Sequence, residues 1–386
     1  MSVTEDPAER LQLDAPYDPA ALAALVQRFG SPLLLLDCDI VRRQYRQLAA
    51  ALPGVGLHYA LKPLPERAVV DTVAAEGGRF DLATSGEIEL VRAAGIAPAR
   101  CIHTHPIKRD ADIRAGLDFG LRTFVADNPD ELRKFEPYAG RVELLLRVSF
   151  RSPTAVVDLS RKFGCDPEAA AGLVRLAREL GLSVAGLSFH VGSQSRSPAT
   201  KVTAVDACAA IISRLAGDGI ASPATLDIGG GFPIDYLEPA QPIDVFCAPI
   251  REALAKLPAG TRVIAEPGRF ICGPAGIVLT TVMGRAFRDG RWWYYLDDGL
   301  YGSFSGQLYD HARYPVEPLL PRAGARQPCV LAGPTCDSVD IIAEDFELPP
   351  LQAGDILVGR QMGAYTTASA TDFNFFPRAR TVVVNR

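Results

Sequence analysis

The sequence places an amine and a glycine run at positions where each could take part in chemistry. Lys62 ends the run "GLHYALK", in which successive side chains would point to opposite faces if the run is a strand. A lysine at that end is either a solvated cation or an amine held at the mouth of a pocket. Gly229–Gly231 could be a simple tight turn, but consecutive glycines also let backbone N–H groups hold an anion. The choice depends on the elements that position these two features.

Between residue 57 and about residue 268, short apolar runs alternate with segments of helical periodicity. The predicted strands are, in order, "LHYALK", "RFDLAT", "CIHTH", "TFVAD", "VELLLRV", "VAGLSFHV", "TLDIGGG" and "RVIAEPG". Several of the intervening segments end in glycine, which commonly terminates helices. Strands that alternate with helices indicate right-handed βαβ units and a parallel sheet. Eight such units predict an α/β fold with a closed, TIM-like (β/α)₈ barrel, while an open doubly wound sheet stays the alternative.

After about residue 270 the pattern changes to short β-like runs separated by Gly, Pro and Asp. Examples are "GIVLTTVMGRAF", "RWWYYLDDG" and "RTVVVNR". We therefore predict a second, mainly β domain of the sandwich or barrel type. The predicted organisation is a cofactor-binding barrel at residues 39–272 and a β domain, formed by residues 1–38 and 273–386, that completes the site.

The barrel prediction gathers polar residues at one rim, because active sites of these barrels lie at the C-terminal ends of the strands. The residues at or near those ends are Lys62, Asp81, His105, Arg147, His190, Glu266 and Arg269. Gly229–Gly231 and Arg269 follow the seventh and eighth strands, where such barrels often bind phosphate. The rim therefore offers a cluster of polar groups rather than scattered surface charges.

Pyridoxal 5'-phosphate is the cofactor that needs both an amine and a phosphate site, since its aldehyde forms a Schiff base with a lysine. Glu266 could keep the pyridine nitrogen protonated, although a carboxylate in "EPGR" could also interact only with a helix dipole. His190 could stack on the cofactor ring or be a hydrogen-bonded core histidine. The rim residues together favour the cofactor.

The composition argues against several other classes of protein. A net charge of −5 and a pI near 5.7 argue against binding to nucleic acid. No apolar run approaches the ~20 residues that span a bilayer, and "MSVTEDPAER" does not resemble a secretory signal. Eight scattered cysteines without a C-x-x-C pair predict reduced thiols and a cytoplasmic protein. His103 and His105 have no cysteine or acid partners, so no metal is predicted.

A set of motifs in one order connects the chain with a known family. They are "YALK", "FDLATSGEIELV", "LSRKFG", "SFHVGSQ", "LDIGGGFP", "EPGRF", "GPTCDSVD" and "GAYTTASATDFNFF". Together they resemble the ornithine/diaminopimelate/arginine decarboxylase family, which has the alanine-racemase-like fold of pyridoxal-phosphate fold type III. The resemblance covers nearly the whole chain. "GPTCDSVD" and "YGSFSGQLYDH" are most similar to the ornithine decarboxylase branch.

The resemblance implies a role for each matching residue. Lys62 would bind the cofactor covalently, His190 would stack on its ring, and Cys336 would protonate the substrate carbon after carbon dioxide leaves. The implied cofactor-binding residues are Lys62, Asp81, Arg147, His190, Ser193, Gly230, Gly231, Glu266, Arg269 and Tyr365, and the implied substrate-binding residues are Asp310, Asp337 and Phe373. Cys336 and Asp337 would enter from the other subunit of a head-to-tail homodimer. Without the motif, Cys336 would be interpreted as a small buried apolar residue.

The implied reaction is pyridoxal-phosphate-dependent decarboxylation of a basic L-amino acid, with L-ornithine, which gives putrescine, as the leading substrate. Pro63, Leu64 and His105 depart from the family pattern near the cofactor, so L-lysine or a related diamino acid stays an alternative. Diaminopimelate decarboxylation is a further alternative, although that branch typically has "CESGD" where this chain has "PTCDS". The last alternative is a non-catalytic, decarboxylase-like binding protein, against which the retained Lys62 and Glu266 argue.

Overall fold

The computed structural model describes residues 11–150, 161–217 and 224–386. Two compact units make up the chain. The first, here called the barrel unit, consists of Arg42–Ile234 and Ala240–Ile271. The second, here called the β unit, consists of Met1–Val41, Asp235–Pro239 and Cys272–Arg386. The predicted domain boundaries and the functions assigned to them stay predictions.

The first described elements are α1 (Pro19–Phe29), β1 (Leu33–Asp37) and α2 (Cys38–Ala51). The carboxylate of Asp18 accepts a hydrogen bond from the backbone N–H of Ala20, 3.1 Å away, and so caps the start of α1. Every residue of β1 is buried, which explains its run of four leucines.

Eight parallel strands of the described chain close into a barrel. They are β2 (Gly56–Ala60), β3 (Arg79–Leu82), β4 (Cys101–His103), β5 (Thr123–Ala126), β6 (Glu143–Val148), β7 (Ser183–Phe189), β8 (Thr225–Asp227) and β9 (Arg262–Ala265). The barrel closes where β2 pairs with β9, with Gly56 opposite Ile264. Ile102, Val125, Leu145 and Ile264 form an apolar cluster from four of its strands. The predicted (β/α)₈ barrel is confirmed, and the open sheet is excluded.

The helices α3 to α10 follow the barrel strands. They are α3 (Arg67–Ala75), α4 (Ser85–Ala93), α5 (Asp110–Phe119), α6 (Pro129–Phe135), α7 (Ala170–Glu179), α8 (Ala199–Gly217), α9 (Ile243–Leu254) and α10 (Arg269–Cys272). The start of α6 follows the ordinary capping rules: the side chain of Asn128 accepts from the N–H of Glu131 (2.9 Å), and Pro129 opens the helix. At the other end of α5, Gly120 adopts a left-handed conformation with φ of 103°.

The β unit is built around one sheet, which has eight strands in the described chain. Its further elements are β10 (Gly276–Arg288), β11 (Arg291–Leu296), α11 (Gly306–Asp310), β12 (Val316–Pro318), β13 (Gln327–Ala332), β14 (Ile341–Leu348), β15 (Ile356–Gly359) and β16 (Arg380–Val384). The strand order is β12-β15-β10-β11-β13-β14, and β1 pairs with both β10 and β16. Leu34 packs in one buried cluster while Leu33 and Leu35 pack in another, so both faces of β1 are covered. The predicted second, mainly β domain is confirmed.

The barrel strands are shorter than the predicted ones, so several residues predicted to end strands lie instead in the loops or helices that follow them. Lys62 lies in a turn two residues beyond β2, and His105 lies two residues beyond β4. Gly229–Gly231 and Glu266 are likewise in the loops after β8 and β9, and Arg269 begins α10. The sequence runs continue past the strands because the loops that carry functional groups are themselves partly apolar. Each helix of the described chain is too short or too polar to cross a bilayer.

Candidate active site

Lys62 lies in the turn that follows β2, with its side chain exposed. The backbone N–H of Leu61 donates to the carbonyl oxygen of Asp81 (3.2 Å), and this bond ties the turn to β3. Pro63 follows, and a Cβ added to Gly268 would lie within 2.5 Å of its ring, so the turn packs directly against the loop after β9. The lysine is therefore held on a turn fixed at both sides.

Asp81 brings a carboxyl group to the same end of the barrel. Thr104, just after β4, donates its hydroxyl to Oδ1 of Asp81 at 2.5 Å. Burial raises the pKa of Asp81 well above its ordinary value, and the negative charge of Glu266 raises it further, while the Thr104 hydrogen bond and the Lys62 charge lower it. These interactions place Lys62, Asp81 and Glu266 in one electrostatic cluster.

Arg147 and His190 belong to the same cluster. Burial lowers the pKa of Arg147, while Glu266 and Asp81 are among the acids that counteract this effect. The N–H of Gly192 donates to Nδ1 of His190 at 3.0 Å, which assigns the imidazole proton to Nε2. Burial lowers the pKa of His190 well below its ordinary value, and the charges of Arg147, Lys201 and Lys62 act in the same direction. His190 is therefore neutral at physiological pH.

The glycine loop after β8 is shaped by close contacts that exclude side chains. A Cβ on Gly230 would lie 2.6 Å from the carbonyl oxygen of Glu266 and 3.2 Å from Nε2 of His190. Gly229 and Gly231 have φ angles of 63° and 89°, a region that glycine adopts without strain. The carbonyl oxygen of Gly229 accepts a hydrogen bond from the N–H of Glu266 (3.0 Å). The loop therefore borders both the histidine and the glutamate that were predicted to contact a cofactor.

Ser193 and Arg269 meet beside this loop. Nη2 of Arg269 donates to Oγ of Ser193 at 3.0 Å, and only 5% of the arginine is exposed. Two residues further along from Ser193, Ser195 donates its N–H to the carbonyl oxygen of Gly231 (3.0 Å). The structure thus brings together the hydroxyl, the guanidinium and the glycine loop that were predicted to hold phosphate.

The β unit carries the remaining predicted residues. Tyr301 donates its hydroxyl to Oδ2 of Asp337 at 2.5 Å, and its ring stacks on Phe373 with centroids 4.3 Å apart. The Tyr301 hydrogen bond lowers the pKa of Asp337 below its ordinary value. Cys336, the preceding residue, has an exposed thiol outside any disulfide.

Asp310 and Tyr365 lie elsewhere in the β unit. Asp310 is the last residue of α11. Tyr365 has a φ angle of 56°, and its carbonyl oxygen accepts a hydrogen bond from Oγ of Ser369 (3.0 Å). Gly306, which opens α11, lies close to the same carbonyl oxygen. The roles of both residues stay predictions.

Three side chains that hold these residues in place were missed by sequence reasoning. Lys201 in α8 is fully buried, and its Nζ donates to the carbonyl oxygens of Ile228 (2.6 Å) and Gly230 (2.9 Å). Thr104 holds Asp81 as described above. Asp340, which is 2% exposed, accepts from both the N–H (3.0 Å) and the hydroxyl (2.7 Å) of Thr335 and so anchors the loop that carries Cys336. Only Lys201 had a signal in the sequence, because a lysine stands there among apolar residues at helical spacing.

The departures from the family pattern have local structural reasons. Leu64 is 1% exposed and its carbonyl oxygen accepts the hydroxyl of Tyr59 at 2.9 Å. Nδ1 of His105 accepts from the N–H of Ile107 (3.1 Å), and its ring contacts the ring of Phe163 edge-on, with centroids 5.6 Å apart. The described residues contain no cluster of three or more His, Cys, Asp or Glu side chains suited to a metal ion.

The residues present fit pyridoxal phosphate. A phosphate needs several hydrogen-bond donors and positive charge, which a buried arginine, a serine hydroxyl and glycine N–H groups supply. An aldehyde needs a primary amine, which Lys62 supplies, and the ring needs an uncharged flat group and a carboxylate, which His190 and Glu266 supply.

Comparison with known proteins places the chain in a family. A family model described as the pyridoxal-binding domain of pyridoxal-dependent decarboxylases matches residues 38–273. A lysine/ornithine decarboxylase of Selenomonas ruminantium is 36% identical over 363 residues, which cover 93% of this chain and 91% of that protein. The chloroplastic ornithine decarboxylase of Nicotiana glauca is 34% identical, over 89% of this chain and 82% of that protein.

A solved structure is more similar still. The lysine/ornithine decarboxylase of Vibrio vulnificus, complexed with putrescine, superposes with a TM-score of 0.91 at 53% identity, over 97% of this chain and 99% of that one. The arginine decarboxylase of Paramecium bursaria Chlorella virus superposes with a TM-score of 0.90 at 29% identity, over 95% of this chain and 100% of that one. The chain therefore belongs to the family of pyridoxal-dependent decarboxylases.

Proposed function

We propose that this protein decarboxylates L-ornithine to putrescine and carbon dioxide, and that L-lysine is its second substrate. The observation that carries the proposal is the clustering of Lys62, Asp81, Arg147, His190 and Glu266 beside the glycine loop of the barrel unit. Lysine is included because the Vibrio vulnificus lysine/ornithine decarboxylase, 53% identical, has been solved with putrescine and with cadaverine. Discrimination by one methylene is also weak, about 1–3 kcal/mol.

The barrel unit would hold the cofactor through contacts at each of its parts. Lys62 would bind its aldehyde carbon, and Gly230, Gly231, Ser193 and Arg269 would hold its phosphate. Tyr365 of the β unit would add a contact to the phosphate. The resemblance assigns these contacts, and the arrangement of the four barrel groups supports them.

The ring would be held by groups of suitable charge. Glu266 would face the pyridine nitrogen and keep a proton there, and neutral His190 would lie against one face without adding positive charge beside Arg147. Asp81 and Arg147 would line the same site. Bound pyridoxal phosphate supplies an electron sink for the bond that breaks as carbon dioxide leaves.

The β unit would supply the proton and the substrate specificity. Cys336 would deliver a proton to the substrate carbon, and Asp310 and Asp337 would bind the distal ammonium, which must be paired with an acid when it is buried. Phe373 would contact the aliphatic part of the substrate. A homodimer in which Cys336 and Asp337 enter the partner's site, and a location in the cytoplasm, are parts of the same proposal.

The test measures carbon dioxide release from L-ornithine, L-lysine and diaminopimelate, together with the visible absorbance of the bound cofactor. We expect turnover of ornithine and lysine with kcat/KM values within about 200-fold of each other, and none of diaminopimelate. Lys62→Ala should lose the absorbance band of the wild type and the activity, whereas Lys256→Ala, a change at an exposed lysine of the same unit, should keep both. A bound cofactor without turnover of any of the three compounds would overturn the substrate assignment.

A further inference from the structure

The buried side chain of Lys201 faces the glycine loop from α8. None of the side chain is exposed, and the rings of Phe232 and Phe189 lie 4.8 and 5.7 Å from its ammonium group. An ammonium ion removed from water must find acceptors, and Lys201 finds two in the carbonyl oxygens of Ile228 and Gly230. These carbonyl groups flank Gly229, so one side chain fixes the loop at two points.

Every carbonyl group from residue 228 to residue 231 is held by a donor. Lys201 holds the carbonyl oxygens of Ile228 and Gly230, the N–H of Glu266 holds that of Gly229, and the N–H of Ser195 holds that of Gly231. In a planar trans peptide the C=O and N–H groups point in opposite directions. The N–H of Gly231 is therefore directed away from Lys201, and the N–H of Gly230 away from the Glu266 amide.

This arrangement matters for an anion because carbonyl oxygens repel it while N–H groups attract it. If the Gly230–Gly231 peptide rotated, its carbonyl oxygen would replace its N–H at the anion. We propose that Lys201 is a positioning residue that locks this peptide in the orientation that presents the Gly231 N–H to the cofactor phosphate. The inference rests on the phosphate site of the proposed function and assigns no contact between Lys201 and the cofactor.

The charge of Lys201 supports the same role. Burial lowers its pKa to about 8, with the nearby Cys247, Asp227 and Glu266 acting in the opposite direction. The charged form, which donates to two carbonyl groups at once, is therefore still the main form at neutral pH. Lys108 offers a comparison, because burial also lowers its pKa to about 8 and its Nζ also donates to the carbonyl oxygens of His105 and Val125. Lys108 differs in that it also pairs with the buried carboxylate of Glu131, 2.9 Å away.

The experiment compares two ligands on the full-length protein freed of cofactor: pyridoxal phosphate and pyridoxal, which lacks the phosphate. We expect Lys201→Met to lower the affinity for pyridoxal phosphate about 10-fold or more, which is the effect of a lost hydrogen bond to a charged group. The affinity for pyridoxal should change less than about 2-fold. Lys108→Met, the matched control, should lower the melting temperature and leave both affinities unchanged. Competition by inorganic phosphate should weaken in parallel in Lys201→Met only.

Other outcomes separate the inference from the proposal beneath it. Equal weakening of both ligands, or no weakening of either, would overturn the role of Lys201. Arg269→Ala reports on the phosphate site itself: if it leaves the affinity for pyridoxal phosphate unchanged, the assignment of that site is wrong. If Arg269→Ala loses affinity for pyridoxal phosphate while Lys201→Met keeps it, the phosphate site stands and only the positioning role of Lys201 is overturned. Lys201→Gln, which keeps a shorter donor, provides the measurement if Lys201→Met does not fold.

Discussion

Asp337 depends on a neighbour for its state and its position. The hydroxyl of Tyr301 donates to one carboxylate oxygen (2.5 Å) and the N–H of Val339 donates to the other (3.2 Å). Both bonds favour the ionised form, which is the form that can pair with a substrate ammonium. Leu300, beside Tyr301, donates its N–H to Asp340 (2.8 Å), so one buried acid links the two loops. The proposed specificity of the β unit thus rests on a hydrogen-bonded pair.

Removal of the Tyr301 hydroxyl tests this dependence. We expect Tyr301→Phe to raise the KM for ornithine about 3- to 10-fold with kcat changed less than about 2-fold, because the lost bond affects substrate binding rather than the reaction. The matched control is Tyr138→Phe, which removes a similar exposed bond to Asp110 (2.6 Å) in the barrel unit. A fall in kcat at unchanged KM would contradict the role of Asp337 in substrate binding.

At the level of elements, periodicity predicted the eight barrel strands and their order, because parallel barrel strands are buried on both faces and are apolar along their length. It did not predict where the strands end. Lys62, His105 and Glu266 lie in loops, since the bonds that end a strand depend on partners distant in sequence, such as Asp81 for the turn of Lys62.

The same limit applies to residues that act by supporting others. Lys201 stands on a stripe of α8 that also contains Val205, Cys208 and Ile212, all buried, so the sequence marks it as unusual. The sequence cannot show that carbonyl oxygens of a loop 27 and 29 residues away face its ammonium group. The proposed roles of Ser193 and Arg269 could be predicted because they came from whole family motifs. Such a motif implies a fixed three-dimensional arrangement of its residues.

The turn at residues 298–303 of the β unit offers a test at this scale. Oδ1 of Asp298 accepts from the N–H groups of Gly299 (2.9 Å) and Ser303 (2.8 Å), and the residue is only 3% exposed. Burial raises the pKa of Asp298 from 3.8 to about 6. The folded state therefore holds a proton that the unfolded state releases, and the free energy of unfolding falls as pH rises from about 4 to about 6.

The side chain introduced by Asp298→Asn does not titrate. Between pH 4 and pH 7 the difference in free energy of unfolding between wild type and variant should therefore change by about 2.5 kcal/mol in favour of the variant. Urea unfolding at several pH values measures this difference. Asp345→Asn, at a side chain that is 76% exposed, should instead follow the wild type. A constant difference between wild type and Asp298→Asn across the range would show that folding does not raise the pKa of Asp298.

At the scale of the whole molecule, the proposed functions divide between the two units. Residues 42–234 and 240–271 carry Lys62 and most of the residues proposed to contact the cofactor, whereas Cys336 and Asp337 belong to the other unit. A division of this kind permits a site to be assembled from two chains. In a head-to-tail dimer, Lys62 of one chain would work with Cys336 of the other, and each dimer would hold two such shared sites.

Mixing two inactive variants distinguishes shared sites from self-contained ones. Lys62→Ala and Cys336→Ala should each have little activity alone, but a dimer with one chain of each kind contains one site with both native residues. Random exchange makes half of the dimers mixed, so an equal mixture should recover about a quarter of the wild-type activity. The control mixes Lys62→Ala with the double variant Lys62→Ala/Cys336→Ala. No shared site in this mixture contains both native residues, so no activity should return. If mixed dimers form and activity does not return, each chain builds its own site, and Cys336 acts within the chain that holds its cofactor.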